Sequence, residues 1–140
     1  MILREAPRDH LFWLANRAKI DITPGLRAME VVRESDGVIL GMVGYDGWAP
    51  NSCAMHIAMD SPMAGRLLLK NAFRVAFEVF GRGILVATVL SSNAHTLAFD
   101  KHLGFREVFR GKDWIEPGVD QVWLEMRRED CRWLQQRKAA

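Results

Sequence analysis

Cysteine and tyrosine are scarce in this 140-residue chain, and neither sign of charge is in clear excess. The two cysteines, Cys53 and Cys131, are too few and too far apart for a disulfide framework or a zinc site, so we expect both to be reduced thiols. Nineteen basic and seventeen acidic side chains leave a formal net charge of +2. Because this charge is small and scattered, it does not favour nucleic acid as a partner.

Long apolar runs are missing as well. No stretch approaches the ~20 apolar residues that a membrane-spanning helix needs. The opening residues MILREAPRDH place acids and a proline where a signal peptide has its apolar core. The length and an apolar fraction of 49% fit one domain, residues 1–140, with a core of its own. We therefore expect a cytoplasmic protein without a membrane partner.

The apolar residues that are present change their spacing along the chain. A helical spacing follows Asp9, which we expect to cap that helix. Residues 28–48 predict two strands around a turn at residues 35–37, where Asp36 and Gly37 form the strongest hairpin signal in the chain. Residues 53–60 predict a third strand.

From Pro62 the spacing becomes helical again, as far as Gly81. The run ILVATVL, residues 84–90, predicts a strand that is buried on both faces. A helix over residues 93–104 and two strands at residues 106–111 and 120–128 complete the pattern, which predicts an α/β domain with a mixed sheet. Because a helix connects them, the strands at 53–60 and 83–90 should run parallel.

One segment, SSNAHTLAFDKHLGF at residues 91–105, carries the most specific signal. Asn93 is suited to cap a helix and Gly104 to end it. The segment resembles the Asn-x-x-Ala … Gly-Phe segment of the GNAT superfamily of N-acetyltransferases, and the order of elements over residues 9–128 is similar too. The matching positions are Asn93, Thr96, Leu97, Phe99, Leu103, Gly104 and Phe105. The C-terminal MRREDCRWL also resembles small GNAT-like proteins encoded in bacteriophage genomes.

The resemblance implies a mostly antiparallel, twisted sheet with a splayed central parallel pair and flanking helices, which together form one acyl-CoA-binding domain. It implies acetyl-CoA as cosubstrate, with the pantetheine arm on the free backbone of the third strand and the pyrophosphate on the N-terminus of the next helix. No metal is implied. The residues implied to bind the cosubstrate are Ile57, Ala58, Met59, Gly65, Arg66 and Asn93.

The phosphate loop departs from the superfamily's pattern of Gln/Arg-x-x-Gly-x-Gly/Ala. Asp60, Met63 and Gly65 fall on the three key positions, and only Gly65 matches. An aspartate beside a pyrophosphate costs Coulomb energy. The alternative interpretation is that Asp60 caps the helix together with Ser61, while Arg66 neutralises phosphate from the first turn.

The acid that protonates the departing thiolate also differs. Many GNAT enzymes have a tyrosine four residues before the glycine of Gly-Phe, and here that position is Asp100. An ionised aspartate is a poor acid unless its pKa is raised. The alternative interpretation is a surface residue next to Lys101. The one tyrosine, Tyr45, lies near the end of the second hairpin strand.

His56 is the first candidate for the base that deprotonates the acceptor amine. It shares its strand face with Ala54 and Ala58, whose small side chains leave room for a substrate. The alternative is a histidine packed between helices. Glu30, Glu34 and His95 are further candidates.

Two tryptophans have alternative interpretations. Trp48 either lines a substrate pocket or covers the sheet edge, and Trp133 with Leu134 packs a C-terminal helix onto the domain or onto a partner chain. The mixed charges of residues 126–140 indicate a solvated helix face.

Two functions remain open. The first is transfer of an acetyl group from acetyl-CoA to a primary amine of a small-molecule or protein acceptor by direct attack. The second is a GNAT-like phage protein in the host cytoplasm that binds another protein with little or no catalysis, which the altered phosphate loop and the missing tyrosine favour. A homodimer is compatible with either function.

Overall fold

The computed structural model describes residues 1–135, which form seven strands and four α-helices. The strands are β1 (Ile2–Glu5), β2 (Arg27–Val32), β3 (Ile39–Ala49), β4 (Ser52–Met59), β5 (Ile84–Leu90), β6 (Arg106–Glu116) and β7 (Val119–Arg127). The helices are α1 (Leu11–Ala18), α2 (Pro62–Arg74, continued by a π-helical turn over Val75–Val79), α3 (Ala94–Leu103) and α4 (Arg132–Gln135). None of the helices within residues 1–135 has the length and apolar character needed to cross a membrane.

All seven strands belong to one sheet with the order β1-β2-β3-β4-β5-β7-β6. Neighbouring strands are antiparallel except β4 and β5, which are parallel and pair at three positions, from Ser52 to Ala54 of β4. Beyond Ala54, β4 stays paired with β3 as far as Met59, while β5 stays paired with β7 as far as Leu90. The two central strands therefore diverge, which confirms the predicted splayed parallel pair.

Helices cover both faces of the central strands. Helix α2 packs on one face and contacts α4. There the Trp133 ring stacks on the buried Phe73 at 5.6 Å, and Trp133 Nε1 donates to the Leu103 carbonyl. This confirms the predicted packing of the C-terminal helix onto the domain. The buried strand residues of this core include Val43, Tyr45, Cys53, Met55, Leu85, Ala87 and Val89.

Helix α1 packs on the opposite face, against β3 and β4. Its buried Leu14 meets Leu26 and Met42 in a second, smaller core. Gly44 on β3 permits this approach, because a Cβ atom there would lie 2.5 Å from Leu14 Cδ2.

The structure corrects two predictions near the N-terminus. Strand β1 was not predicted, since its four residues are mostly exposed and are held by pairing with β2 rather than by an apolar pattern. Asp9 does not cap α1, because it lies inside a 3₁₀ turn over Arg8–His10 and the helix begins after it with His10 at the N-cap.

Strand β3 includes Trp48 and ends at Ala49, one residue beyond the predicted range. Trp48 Nε1 donates to the Gly25 carbonyl at 2.7 Å, and its ring meets Phe80 edge-on. Because β3 lies between β2 and β4 in the sheet, Trp48 does not cover a sheet edge, and a place in a substrate pocket stays a prediction. The predicted solvated face of residues 126–140 extends into residues 136–140, which lie outside the described residues.

Candidate active site

The divergence of β4 and β5 opens a cleft with two adjoining cavities. The larger, of about 410 Å³, lies between β4, β5, α3 and the end of α1. The smaller, of about 280 Å³, follows the end of β4 and the start of α3. Arg17, Ile57 and Thr96 line both cavities. Within the described residues β4 has no strand partner on the β5 side after Ala54, so its backbone there can hydrogen bond to a ligand.

A histidine–carboxylate pair stands at the wall of the larger cavity. His56 Nε2 lies 2.8 Å from Asp46 Oδ1, with 19% and 14% of the two side chains exposed. The sheet register places Asp46 opposite Ala54, two residues from His56, so both side chains emerge on the α1 face. Thr23 Oγ1 donates to the second carboxylate oxygen of Asp46 at 3.4 Å.

The pair determines which nitrogen of His56 can act as a base. A carboxylate only accepts hydrogen bonds, so Nε2 is the nitrogen that carries the proton toward Asp46. In the neutral imidazole the lone pair is then on Nδ1. His56 is thus oriented at the cavity rather than packed between helices, and its candidacy as a base stays a prediction.

Asp100 is a buried carboxyl at the same cavity. Helix α3 places it there with 7% of the residue exposed, so the interpretation as a surface residue is wrong. Burial raises the pKa of its carboxyl from the ordinary 3.8 to about 6, because a low-dielectric surrounding disfavours the charged form. A carboxyl of this kind can carry a proton near neutral pH.

Asn93 begins α3 as predicted. Its Oδ1 accepts a hydrogen bond from the Thr96 N–H at 3.2 Å, and Gly104 ends the helix with a φ of 119° that favours glycine. Both Asn93 and Thr96 line the larger cavity. The predicted capping roles of Asn93 and Gly104 are confirmed, while a role of Asn93 beside the pantetheine stays a prediction.

The other residues predicted to bind the cosubstrate divide into two groups. Ile57, Ala58 and Met59 line the smaller cavity. Gly65 and Arg66 lie in α2 and are not among the residues that line either cavity. Gly65 is buried against Met59, since a Cβ atom there would lie 3.0 Å from the Met59 sulfur.

Asp60 does not cap α2. Ser61 is the N-cap residue and its side chain makes no capping hydrogen bond. Asp60 instead accepts two hydrogen bonds from Arg17, whose Nε and Nη2 each lie 2.9 Å from one of its oxygens. These bonds lower the pKa of the Asp60 carboxyl. The pair stands at the smaller cavity.

The further candidates for the general base, Glu30, Glu34 and His95, lie in different parts of the structure. Glu30 is fully buried on β2, where it pairs with Arg4 and His10 at 2.8 Å each and lines neither cavity. Glu34 lies 3.4 Å from the N-terminal ammonium, and His95 lines the smaller cavity.

Tyr45 is buried in the core, and its hydroxyl donates to the Ala72 carbonyl at 2.5 Å. Burial raises the pKa of its phenol, and the residue lines neither cavity, so it does not replace the missing acid. Cys53 and Cys131 are both free and buried, and their reduced state stays a prediction. Burial raises the pKa of the Cys53 thiol to about 11.

Sequence reasoning missed two members of the site, Asp46 and Arg17. Alternation along the hairpin would have pointed to Asp46 only if the register between β3 and β4 had been known. No local signal marks Arg17, because its partner is 43 residues away.

No family model and no curated protein matches the chain. Among solved structures, spermidine/spermine N-acetyltransferase SpeG from Vibrio cholerae is 14% identical, with a TM-score of 0.73 over 96% of this chain and 95% of that chain. The protein smu.2055 from Streptococcus mutans UA159 is 16% identical, with a TM-score of 0.70 over 91% of this chain and 99% of that one.

An acetyltransferase of the GNAT family from Bacillus anthracis is 13% identical, with a TM-score of 0.57 over 73% of this chain and 66% of that one. At these identities the likeness shows the fold. The chain has the GNAT fold, a mixed and mostly antiparallel sheet with one splayed parallel pair, and its structural neighbours include N-acetyltransferases.

Proposed function

We propose that this protein is an N-acetyltransferase that transfers the acetyl group of acetyl-CoA to a primary amine. The observation that carries the proposal is the cleft between β4 and β5, which has the His56–Asp46 pair and the protonatable Asp100 at one cavity. A base and an acid with separate environments on one cavity suit a reaction that moves protons at both the nucleophile and the leaving group.

The cleft fits the pantetheine arm of acetyl-CoA. That arm is an extended chain with two amides, and it needs hydrogen-bonding groups along an otherwise apolar wall. The unpaired edge of β4 supplies backbone donors and acceptors, while Ile57, Ala58 and Met59 supply apolar surface. Asn93 and Thr96 stand on the opposite wall.

The proposed reaction is a direct attack. His56 Nδ1 takes one proton from the acceptor ammonium, directly or through one water, and the free amine attacks the thioester carbonyl carbon. Backbone N–H groups of β4 stabilise the oxyanion that forms. When the C–S bond breaks, Asp100 protonates the thiolate. The second proton of the attacking nitrogen then restores Asp100, so one proton is released for each amide formed.

Calorimetric titration with acetyl-CoA and with CoA tests the cosubstrate without knowledge of the acceptor. We expect saturable binding of both. Release of free thiol in the presence of a panel of primary amines then tests transfer, and His102→Gln is the matched control for changes at His56 because His102 is exposed and lines neither cavity. A folded protein that binds neither ligand would rule the proposal out.

A second candidate function is protein interaction with little or no catalysis. The observation that favours it is an aromatic pair on the edge strand β6, where Phe109 and Trp114 are 52% and 62% exposed with ring centroids 5.5 Å apart. Exposed aromatic residues are common at protein interfaces. The same titration separates the two functions, because this one does not need CoA.

Three further points stay predictions. They are the resemblance to small bacteriophage proteins, the cytoplasmic location and the homodimer. The identity of the acceptor, a small molecule or a protein, also stays a prediction, and the panel of primary amines tests it. Sedimentation at several protein concentrations tests the homodimer directly.

A further inference from the structure

Arg17 is the charged side chain that lines both cavities of the cleft. It is held by three hydrogen bonds and one ring contact. Its Nε and Nη2 donate to the two oxygens of Asp60 at 2.9 Å each, and Nη1 donates to the Trp13 carbonyl at 3.1 Å. The guanidinium also lies over the Trp13 ring, 3.7 Å from its centroid. Arg17 is therefore positioned firmly although it is partly exposed.

Its partner Asp60 occupies an unfavourable place for a carboxylate in an acetyl-CoA enzyme. Asp60 directly precedes Ser61, the N-cap of α2, and lines the smaller cavity. The N-terminus of a helix attracts anions, and an unpaired carboxylate beside it would repel a phosphate group. The bidentate pair with Arg17 reduces that repulsion, because the positive guanidinium offsets most of the carboxylate charge at close range.

Arg17 also keeps donors free for a ligand. A guanidinium has five N–H groups, and three of them are used by Asp60 and by the Trp13 carbonyl. Two remain for an acceptor such as a phosphate oxygen, which guanidinium groups bind well.

On the basis of the proposed function, we propose that Arg17 binds a phosphate group of CoA, and that Asp60 serves to hold it in place. The cation of the phosphate site is thus carried by α1 rather than by the loop between β4 and α2. In the superfamily's pattern, the position of Asp60 is held by a glutamine or an arginine. Arg17, paired with Asp60, supplies the missing positive charge at the same place in the fold.

A purely structural pair, which only ties α1 to the sheet, makes a different prediction. Removal of either partner would then loosen the cleft in the same way, and the affinity for every ligand would fall together. If Arg17 binds phosphate, the two partners act in opposite directions, because one attracts the phosphate and the other repels it.

The experiment measures the affinity of CoA and of pantetheine, which lacks the phosphates, by calorimetry for Arg17→Gln, Asp60→Asn and the double variant. We expect Arg17→Gln to weaken CoA about tenfold or more, the scale of a lost charged hydrogen bond, and to change pantetheine less than about twofold. Asp60→Asn keeps an oxygen acceptor for Arg17 and removes the charge, so CoA should bind as well or more tightly. The double variant should lie between the two single variants.

Arg106→Gln is the matched control, because Arg106 pairs with Glu125 at 3.2 Å and lines neither cavity. It changes the net charge of the protein equally and should leave the CoA affinity unchanged. Thermal unfolding checks that each variant folds. If Arg17→Gln does not fold, Arg17→Lys replaces it, and the retained charge should keep most of the preference for CoA over pantetheine.

Equal losses for CoA and pantetheine in both single variants would overturn the inference and leave a structural tie. CoA binding that is unchanged in Arg17→Gln would also overturn it, while the proposed function would stand. A folded wild-type protein that binds neither ligand would overturn both.

Discussion

Replacement of Asp100 by asparagine should stabilise the protein above neutral pH and impair its activity. Asparagine has almost the same shape and can never be charged. In the native protein Asp100 is 7% exposed and its carboxyl has a pKa of about 6, compared with an ordinary value of 3.8. Ionisation of this carboxyl therefore opposes folding.

The sign and size of the effect follow from linkage. The folded-state pKa is raised, so the contribution of Asp100 to stability is fully present below pH ~4 and is lost as the pH rises through about 6. The two pKa values differ by about two units, and each unit corresponds to about 1.4 kcal/mol, so the loss is about 3 kcal/mol. Asp100→Asn should match the wild type near pH 4 and exceed its free energy of unfolding by about 3 kcal/mol near pH 8.

Urea unfolding followed by tryptophan fluorescence between pH 4 and pH 8 measures this difference, since other titrating groups are common to both proteins. Turnover in the thiol-release assay should fall about 10²-fold, because the amide cannot protonate the thiolate. A gain in stability with a loss of turnover is the combination expected for a residue kept for function.

Asp120→Asn is a control with the opposite sign. Hydrogen bonds from the Asp113 N–H and from Arg110 lower the pKa of the Asp120 carboxyl, so its contribution is present above the ordinary pKa and is lost as the pH falls. Asp120→Asn should therefore be less stable than the wild type at neutral pH. A stability difference for Asp100→Asn that does not change with pH, or that has the opposite sign at pH 8, would refute the reasoning.

Three further predictions concern the site and the fold. His56→Gln should lower turnover about 10²-fold while the CoA affinity stays unchanged. Asp46→Asn should lower turnover about tenfold, because the imidazole is no longer held in place. A loss of CoA binding in either variant would count against these roles. Arg66→Glu should weaken the binding of CoA more than that of pantetheine, because the change introduces repulsion near the phosphates. If calorimetry shows the same CoA affinity for the variant and the wild type, the phosphates bind elsewhere. Gly44→Ala should cost about 1–3 kcal/mol in urea unfolding, since the new Cβ would lie 2.5 Å from Leu14 Cδ2, and an unchanged unfolding midpoint would contradict this packing.

Local features of the chain were sufficient for most of the secondary structure. The spacing of apolar residues changes where β4 gives way to α2 and where α2 gives way to β5, and the caps Asn93 and Gly104 depend on contacts within a few residues. The parallel direction of β4 and β5 follows from the helix that connects them. Strand β1 was not predicted, because it is stabilised by pairing with β2, which follows more than twenty residues later in the chain.

The chemistry of the cleft depends on tertiary structure. Asp46 meets His56 only because of the register between two strands, and Arg17 meets Asp60 only because α1 packs across the end of β4. Asp100 has a raised pKa because the folded chain excludes water from it, and no residue beside it in the sequence indicates this. Burial and distance are properties of the folded chain as a whole. A pattern of neighbouring residues therefore predicted the strands and the helix that border the cleft, but not the pairs of charged side chains that the fold brings together there.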